Sequence, residues 1–388
     1  MSDWTSKRLG DLLRPSNERS SRSDQFPVLT SSRSGLHLQT EYFSRVVASK
    51  DNTGYKIIRK GQFTYRAMSD DGFFRFNRLS AQEAGIISPA YEVFDCDTNK
   101  ADPTFMDYML NSEIVLSQIY GAAQGGTRLS LRLSSLCEFE VEIPPLHEQK
   151  KIAEILSGVD RSIAINIHKI TSLKTLYTSL LADSLKKLPG DCLEMQLSDA
   201  CSDVFLGLTS KVDYVESEGI PLIRASNIKN GLIDFNSALH ISRDQHLSLI
   251  KYRKAEIGDV LVTKSGSLGE CAIVQAEKEF SIYESIICLK PRPGILATEY
   301  LFHAMQCSAV KNQFLSGRVG SAVAHLNLSD FRRITIPVPS LASQKAISKA
   351  LDAVQSTKDL LRIDTDKKCF LKDALSSDLL SGRKRVTL

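Results

Sequence analysis

The sequence predicts an α+β (mixed α/β) protein with an internal two-fold pseudo-repeat: two tandem domains separated by two long helices that pair antiparallel like a coiled coil. Three observations carry this. One motif and its surroundings occur twice, 195 residues apart; each copy opens a long proline-free heptad stretch; and the remainder alternates short strand-like runs with Gly/Ser turns. A chain of 388 residues, 42% hydrophobic and 24% charged, has the composition of a globular protein and is too long for one ordinary core.

The repeat is read directly. Ile143-Pro144-Pro145-Leu146-His147-Glu148-Gln149-Lys150-Lys151-Ile152 returns as Val338-Pro339-Ser340-Leu341-Ala342-Ser343-Gln344-Lys345-Ala346-Ile347, with residue 144 falling on residue 339, an offset of 195. At that offset Gly125 meets Gly320, Leu131 meets Leu326, Leu133-Ser134 meets Leu328-Ser329, and Leu156 meets Leu351. Further upstream the offset drifts, as loop insertions would make it. Arg8-Leu9-Gly10-Asp11 matches Gln196-Leu197-Ser198-Asp199, and Phe26-Pro27-Val28-Leu29 matches Ile220-Pro221-Leu222-Ile223.

In chain order, residues 1–143 form the first domain, with strands near 62–65 and 91–94 and a helix over 104–120. Residues 144–189 are the central long helix. Proline bars helix before it, and from 148 to about 187 there is no proline and one glycine, Gly158. Its apolar seam is Ile152, Leu156, Val159, Ile163, Ile170, Leu173, Tyr177 and Leu180, with Asn166 at a seam position where a buried amide fixes register. About 40 residues at 1.5 Å each would span roughly 60 Å. Pro189-Gly190 stops the helix. Residues 190–338 form the second domain, with strands near 259–262 and 271–274 around the loop Ser265-Gly266-Ser267-Leu268-Gly269, and a helix over 299–314. Residues 339–388 are the distal helix. Its seam begins with Ile347, Leu351, Val354 and Leu361, then weakens at Lys358, Thr365 and Lys368, and the helix ends at Gly382. The two stripes bury each other most simply as an antiparallel pair; the alternative is that each helix caps its own domain.

Composition excludes several classes. The eight cysteines are scattered with no C-x-x-C pair, so reduced, mostly buried thiols are expected and no zinc site. The start Met1-Ser2-Asp3-Trp4 lacks the layout of a signal peptide, and no apolar run approaches the ~20 residues of a membrane span, so a cytoplasmic protein is expected. A formal charge of +4 is compatible with a polyanionic partner without demanding one.

Tandem variable domains, each followed by a proline-led motif of the kind seen at 143–150 and 338–345, resemble the DNA specificity (S) subunits of Type I restriction–modification enzymes. Three further stretches resemble that family's target-recognition domains: Ile220-Pro221-Leu222-Ile223-Arg224-Ala225-Ser226-Asn227-Ile228, Gly258-Asp259-Val260-Leu261-Val262-Thr263-Lys264-Ser265-Gly266-Ser267, and Gly85-Ile86-Ile87-Ser88-Pro89-Ala90-Tyr91-Glu92-Val93-Phe94. The resemblance covers essentially the whole chain. Its departures are Ser343, where the motif has an acidic residue, and the poorer distal seam. It implies a non-catalytic, prokaryotic subunit that grips two half-sites of a split double-stranded DNA sequence. It also implies recruitment of two methylation subunits, with restriction subunits added, while S-adenosylmethionine belongs to the methylation subunits and this chain binds no cofactor.

Base edges are read by Arg, Lys, Asn, Gln and Ser/Thr side chains, while phosphate contacts position the protein. In the first domain the candidates are Arg33, Tyr65, Arg66, Arg75, Arg78, Gln124, Thr127 and Arg128. In the second they are Arg224, Asn227, Lys229, Lys264, Ser265, Arg318, Ser321 and Asn327, with Gly266 and Gly320 letting backbone approach phosphate closely. Arg383-Lys384-Arg385 is expected to be a helix C-terminal charge cluster. A stand-alone methyltransferase finds support only in Ser88-Pro89-Ala90-Tyr91, without a Gly-rich cofactor turn; a nuclease or P-loop enzyme finds no metal-spaced carboxylates and no Gly-Lys-Ser/Thr cradle. A coiled-coil scaffold or a regulator with two DNA domains is the remaining alternative.

Overall fold

The computed structural model describes residues 4–44, 49–122, 129–186, 192–207, 212–216, 219–275, 277–315 and 327–386. They fall into two compact units, Met1–Ile167 with Ile363–Leu388 and His168–Arg362. The central helix, Leu146–Lys186, and the distal helix, Leu341–Leu380, therefore each contribute residues to both units.

The two units share one scaffold. In the first, a four-stranded antiparallel sheet runs in the order Leu13–Pro15, Tyr91–Cys96, Phe63–Arg66, Asn77–Arg78. In the second, the order is Cys201–Leu206, Ile286–Pro291, Val260–Thr263, Cys271–Ile273, again antiparallel. Three short helices follow the sheet in each: Pro103–Leu110, Glu113–Ala122 and Leu133–Cys137, then Thr298–Gln306, Ser308–Leu315 and Leu328–Arg332. Their starting residues are related by the same offset of 195. An opening strand pairs with the strand before each proline motif, Thr5–Arg8 with Glu140–Ile143 and Leu193–Gln196 with Thr335–Val338. Even the matched 26–29 and 220–223 segments make equivalent parallel contacts, Val28 with Ile86 and Leu222 with Ser281.

The units differ in their smaller sheets. The first has the hairpin Leu29–Ser32 with Gly35–Leu38 and the pair Lys56–Arg59 with Ala84–Ile87. The second has a four-stranded sheet of Tyr214–Val215, Leu239–Ile241, Ile220–Ile223 and Ser281–Ile282, plus the hairpin Ile228–Lys229 with Leu232–Ile233.

Two sequence expectations need correction. The single helices over 104–120 and 299–314 are each broken. The Asn111 amide leaves the helical path to donate to Phe76 O (2.9 Å) and Asp107 O (2.8 Å), and the Ser112 hydroxyl turns back to Met109 O (2.7 Å). Such local side-chain bonds compete with helix continuation. At the equivalent point Cys307 is extended and buried. Apolar periodicity runs on through both breaks, which is why the pattern conceals them.

The helix seam is as expected. Ile152, Leu156, Asn166 and Tyr177 are buried and the other seam positions half-buried, whereas Ile165, Ile167 and Leu176 face outward. In the first unit the central helix meets the distal helix antiparallel: Asp160 pairs with Lys372 at 2.7 Å, and Asn166 Nδ2 donates to Asp364 Oδ2 at 2.8 Å. There Leu379 and Leu380 join the core around Leu9, Leu12, Phe105 and Ile152. In the second unit Tyr177, Leu181 and Leu351 join Tyr300, Leu301 and Met305. The two lysines that weaken the distal seam have partners for their heads: Lys358 lies over the Tyr177 ring (5.7 Å) and Lys368 pairs with Asp364 (2.6 Å).

Gly382, at φ +71°, ends the distal helix. Arg383 and Lys384 then pair with Asp378 (3.2 and 2.8 Å), as a helix-end cluster would. Arg385 does more: it forks onto Glu148, with both bonds at 2.7 Å, and that carboxylate is only 3% exposed. Among the described residues no cysteine is in a disulfide, and no helix is long and apolar enough to cross a membrane.

Candidate nucleic-acid interface

Each scaffold is fastened to its long helix by one buried glutamine. Gln149 Oε1 accepts from Asp102 N (2.8 Å), while its Nε2 donates to Pro144 O (2.9 Å) and Lys100 O (3.3 Å). Gln344 Oε1 accepts from Ala297 N (2.8 Å), and its Nε2 donates to Pro339 O and Ile295 O, both at 2.8 Å. Every partner of the first set maps onto the second at the offset of 195. The proline motif is thus a docking joint. Its glutamine ties the helix start to the loop that enters the first short helix of the same unit. The signal was present in the sequence, since Gln and Lys survive in both copies where His147-Glu148 becomes Ala342-Ser343.

In the first unit, three candidates come together. Arg33 follows strand Leu29–Ser32, Arg66 closes strand Phe63–Arg66, and Arg75 stands in the loop before Asn77–Arg78; all three line one open cavity of about 350 Å³ with Ser31, Ser69 and Phe73. The Arg33 guanidinium is 4.5 Å from the Phe73 ring centre and bonds to Asp71; Arg66 is 3.7 Å from Asp70. The Phe73 amide and the Ser69 hydroxyl, with Arg33 adding to them, hold the Asp71 carboxyl below the usual carboxylate range. These pairs are exposed, and solvent screening keeps such pairs weak. A group presenting two acceptors to a guanidinium fork, such as a phosphate or a guanine edge, would displace the carboxylates at small cost.

The other described candidates of this unit stand apart. Arg78 turns inward, bonding to Thr104 Oγ1 (3.2 Å) and standing 3.9 Å from Asp107, whose carboxyl is pushed up by burial against the pull of Arg78 and Arg75. Tyr65 is fully buried among Phe74, Phe76 and Phe94, its hydroxyl donating to Leu131 O (3.1 Å), so it presents no surface to a ligand. Gln124, Thr127 and Arg128 lie outside the described residues.

In the second unit the candidates gather on Ser285, which the sequence did not single out. Its hydroxyl accepts from Ala225 N (3.0 Å) and its carbonyl from Lys264 N (2.8 Å), joining the turn after strand Ile220–Ile223 to the loop after Val260–Thr263. That places Arg224, Lys264, Ser265 and Gly266 side by side. Gly266 has φ +71°, and a Cβ there would stand 4.0 Å from that of Ala225. Arg224 Nε is buried without a hydrogen-bond partner among the described residues. Asn227 is buried and structural: Oδ1 accepts from Arg224 N (3.0 Å) and Nδ2 donates to Ser237 Oγ (3.1 Å), closing the turn that presents Arg224. Lys229 is exposed on its hairpin strand. Asn327 caps helix Leu328–Arg332, accepting from Asp330 N (2.9 Å). Arg318 and Ser321, with Gly320, lie outside the described residues.

Two further groups of polar side chains make local contacts. Ser88-Pro89-Ala90-Tyr91 is a turn, Tyr91 N donating to Ser88 O (3.0 Å) at the head of strand Tyr91–Cys96. Tyr177 Oη, His303 Nδ1 (2.7 Å) and His303 Nε2 to Asp352 (2.8 Å) form a hydrogen-bonded chain with the imidazole buried in the core. Among the described residues no three His, Cys, Asp or Glu side chains gather to hold a metal.

Comparison with known proteins adds the following. The family model of the Type I restriction modification DNA specificity domain matches residues 1–175 and 203–367. The chain is 25% identical over 312 residues to the putative type I restriction enzyme MjaX specificity subunit of Methanocaldococcus jannaschii, covering 74% of this chain and 69% of that protein. It is 24% identical over 303 residues to the EcoBI specificity subunit of Escherichia coli, covering 70% and 63%. With the StySPI specificity subunit of Salmonella potsdam it shares 28% over 151 residues, 38% of this chain and 32% of that one. The chain thus spans between about a third and two-thirds of the length of these relatives. In fold it is similar to the S subunit of the Type-I restriction-modification system from M. genitalium (TM-score 0.59, 16% identity, 100% and 97% of the two chains). It is equally similar to a chain of a type I R-M system described for its complex assembly and conformational transition (TM-score 0.59, 17% identity, 98% of both).

Proposed function

This chain belongs to the Type I restriction modification DNA specificity family, and from that membership we propose that it is a non-catalytic subunit reading a bipartite, gapped double-stranded DNA site. Residues 1–143 and 190–338 are the two reading heads, and residues 144–189 and 339–388 the helical spacers. The single observation that carries this reading is the duplicated scaffold: two sheets of identical strand order on equivalent glutamine joints, topped by smaller sheets that differ. One scaffold serving two different tops is what a split site with unlike halves requires. In the first head Arg33, Arg66 and Arg75 meet one half-site; in the second Arg224, Lys264, Ser265 and the Gly266 backbone meet the other, with Lys229 on phosphate. Arg78 and Asn227 act behind these residues, and Asn327 caps its own helix.

The chain recruits methylation subunits, which bring S-adenosylmethionine, and restriction subunits join them. A second apolar stripe on the distal helix supports this. Ile363, Phe370 and Leu371 are exposed, Phe370 by 78%, at the 7- and 8-residue spacing of one helix face. The test is selection of duplexes from a random library by the chain assembled with the methylation subunit encoded beside it. Two short motifs at a constant gap are the expected outcome; one uninterrupted motif, or none, overturns the reading.

A further inference from the structure

We infer that the exposed turn Lys251-Tyr252-Arg253-Lys254 of the second unit is a DNA-backbone clamp, a contact distinct from the base-reading group on Ser285; the inference rests on the DNA-reading proposal above. The turn joins helix Arg243–Ile250 to strand Val260–Thr263, and all four of its residues are exposed. Tyr252 is 85% exposed, more than any other large apolar side chain among the described residues, and the Lys251 ammonium stands 5.2 Å from its ring centre. An aromatic ring so exposed buries little surface in the fold. Three cations in four residues around it suit a sugar–phosphate chain: apolar deoxyribose against the ring, phosphates against the charges.

The geometry divides the roles. Arg253 is committed to the fold, 3.1 Å from Asp203 and over the Phe205 ring at 5.9 Å. It holds the turn in place. Lys254 shares Glu256 (3.2 Å) with Lys290 (3.0 Å), and Lys251 has no carboxylate within ion-pair reach among the described residues. Flexible ammonium groups are point charges that suit phosphate and do not impose the fixed two-donor geometry by which a fork reads a base edge. The turn therefore adds grip without adding sequence information.

Its position supports this. Tyr252, Arg253 and Lys254 line an open groove of about 510 Å³ whose far wall includes Gly207, Ser281 and Ile282. Gly207 N donates to Ile286 O (3.0 Å), and a Cβ at Gly207 would stand 2.3 Å from Ile282 O, so the strand end is pressed against that wall. The same segment continues into Ser285, on which Arg224 and Lys264 are mounted. The groove wall and the base-reading group thus share one chain segment, Ser281 to Ser285.

The test uses the chain assembled with its methylation subunit, comparing wild type with Lys251→Ala/Lys254→Ala and with Tyr252→Ala, on a duplex bearing the recognised site and on an unrelated duplex. The double variant is expected to lose roughly tenfold in affinity on both duplexes and to make the slope of log affinity against log salt shallower by about 2, near 0.9 per phosphate lost. Tyr252→Ala loses several-fold on both with the slope unchanged, and the recognised motif stays the same. A control with equal loss of charge, Lys60→Ala/Lys151→Ala in the first unit, leaves affinity within about twofold. Wild-type affinity and slope in the double variant, an equal loss in the control, or altered base preference overturns the clamp. A wild-type assembly that binds no duplex overturns the DNA reading, and the clamp with it.

Discussion

A glutamine at the foot of each long helix satisfies three backbone groups that face an apolar core. Truncating Gln149 or Gln344 to alanine leaves one amide and two carbonyls unpaired in places water enters poorly. At about 1 kcal/mol or more per buried unsatisfied group, each substitution should cost about 3 kcal/mol. Denaturant unfolding of the full chain checks this, with a loss under 1 kcal/mol counting against the joint. At the residue scale the sequence was legible by type and illegible by direction. Arg33, Arg66 and Arg75, whose residue type marks them as potential readers, do meet at one cavity. Tyr65 and Asn227 carry the same mark and are buried, because a polar atom that satisfies a strand or a turn belongs to the same residue types as one that reads a base. Ser285 was invisible, since its part is played through its hydroxyl and carbonyl at a crossing of two loops far apart in sequence.

Helices were the most legible elements, because heptad spacing and proline boundaries are local signals. The seam from Ile152 to Leu180 was read position by position, including the polar one. Asn166 sits buried against Asp364, whose carboxyl is held down first by Lys368 and then by Asn166. Asn166→Leu should therefore raise thermal stability modestly, by about 1 kcal/mol, while loosening register. Engineered cysteines across the pair would then cross-link at more than one position, and a single cross-linked register together with lower stability would contradict this. Removing one matched heptad from both long helices shortens them by about 10 Å. The gap in the recognised site should change by about three base pairs with both half-sites intact; altered half-sites would contradict the spacer reading. Short elements were less legible: the breaks at Asn111 and Cys307 come from local side-chain bonds and backbone turns that leave apolar periodicity undisturbed.

For the whole molecule, duplication was legible because the same constraints are imposed twice, whereas the variable sheets carry no pattern that fixes their pairing. The copies have also diverged electrostatically. Burial pushes the His303 imidazole below its ordinary value of about 6.5, outweighing the opposite pull of Asp352, and burial lowers His246 in the same unit. The unfolded chain then binds these protons more readily than the folded one. Stability of the second unit is therefore full above about pH 6.5 and falls as pH drops from there toward the folded values. Hydrogen exchange corrected for intrinsic rates should show residues 168–362 losing protection on acidification before the first unit does, and His303→Gln should reduce the difference. The central claim, that one chain directs adenine methylation at a split site without catalysing it, has a direct test. The chain is co-expressed with its methylation subunit in a host lacking adenine methylation, and modified adenines are mapped across the genome. The account predicts a gapped motif of constant spacing with one methylated adenine in each half, and no methylation when the chain is expressed alone. Methylation by this chain alone, or a single ungapped motif, would contradict it.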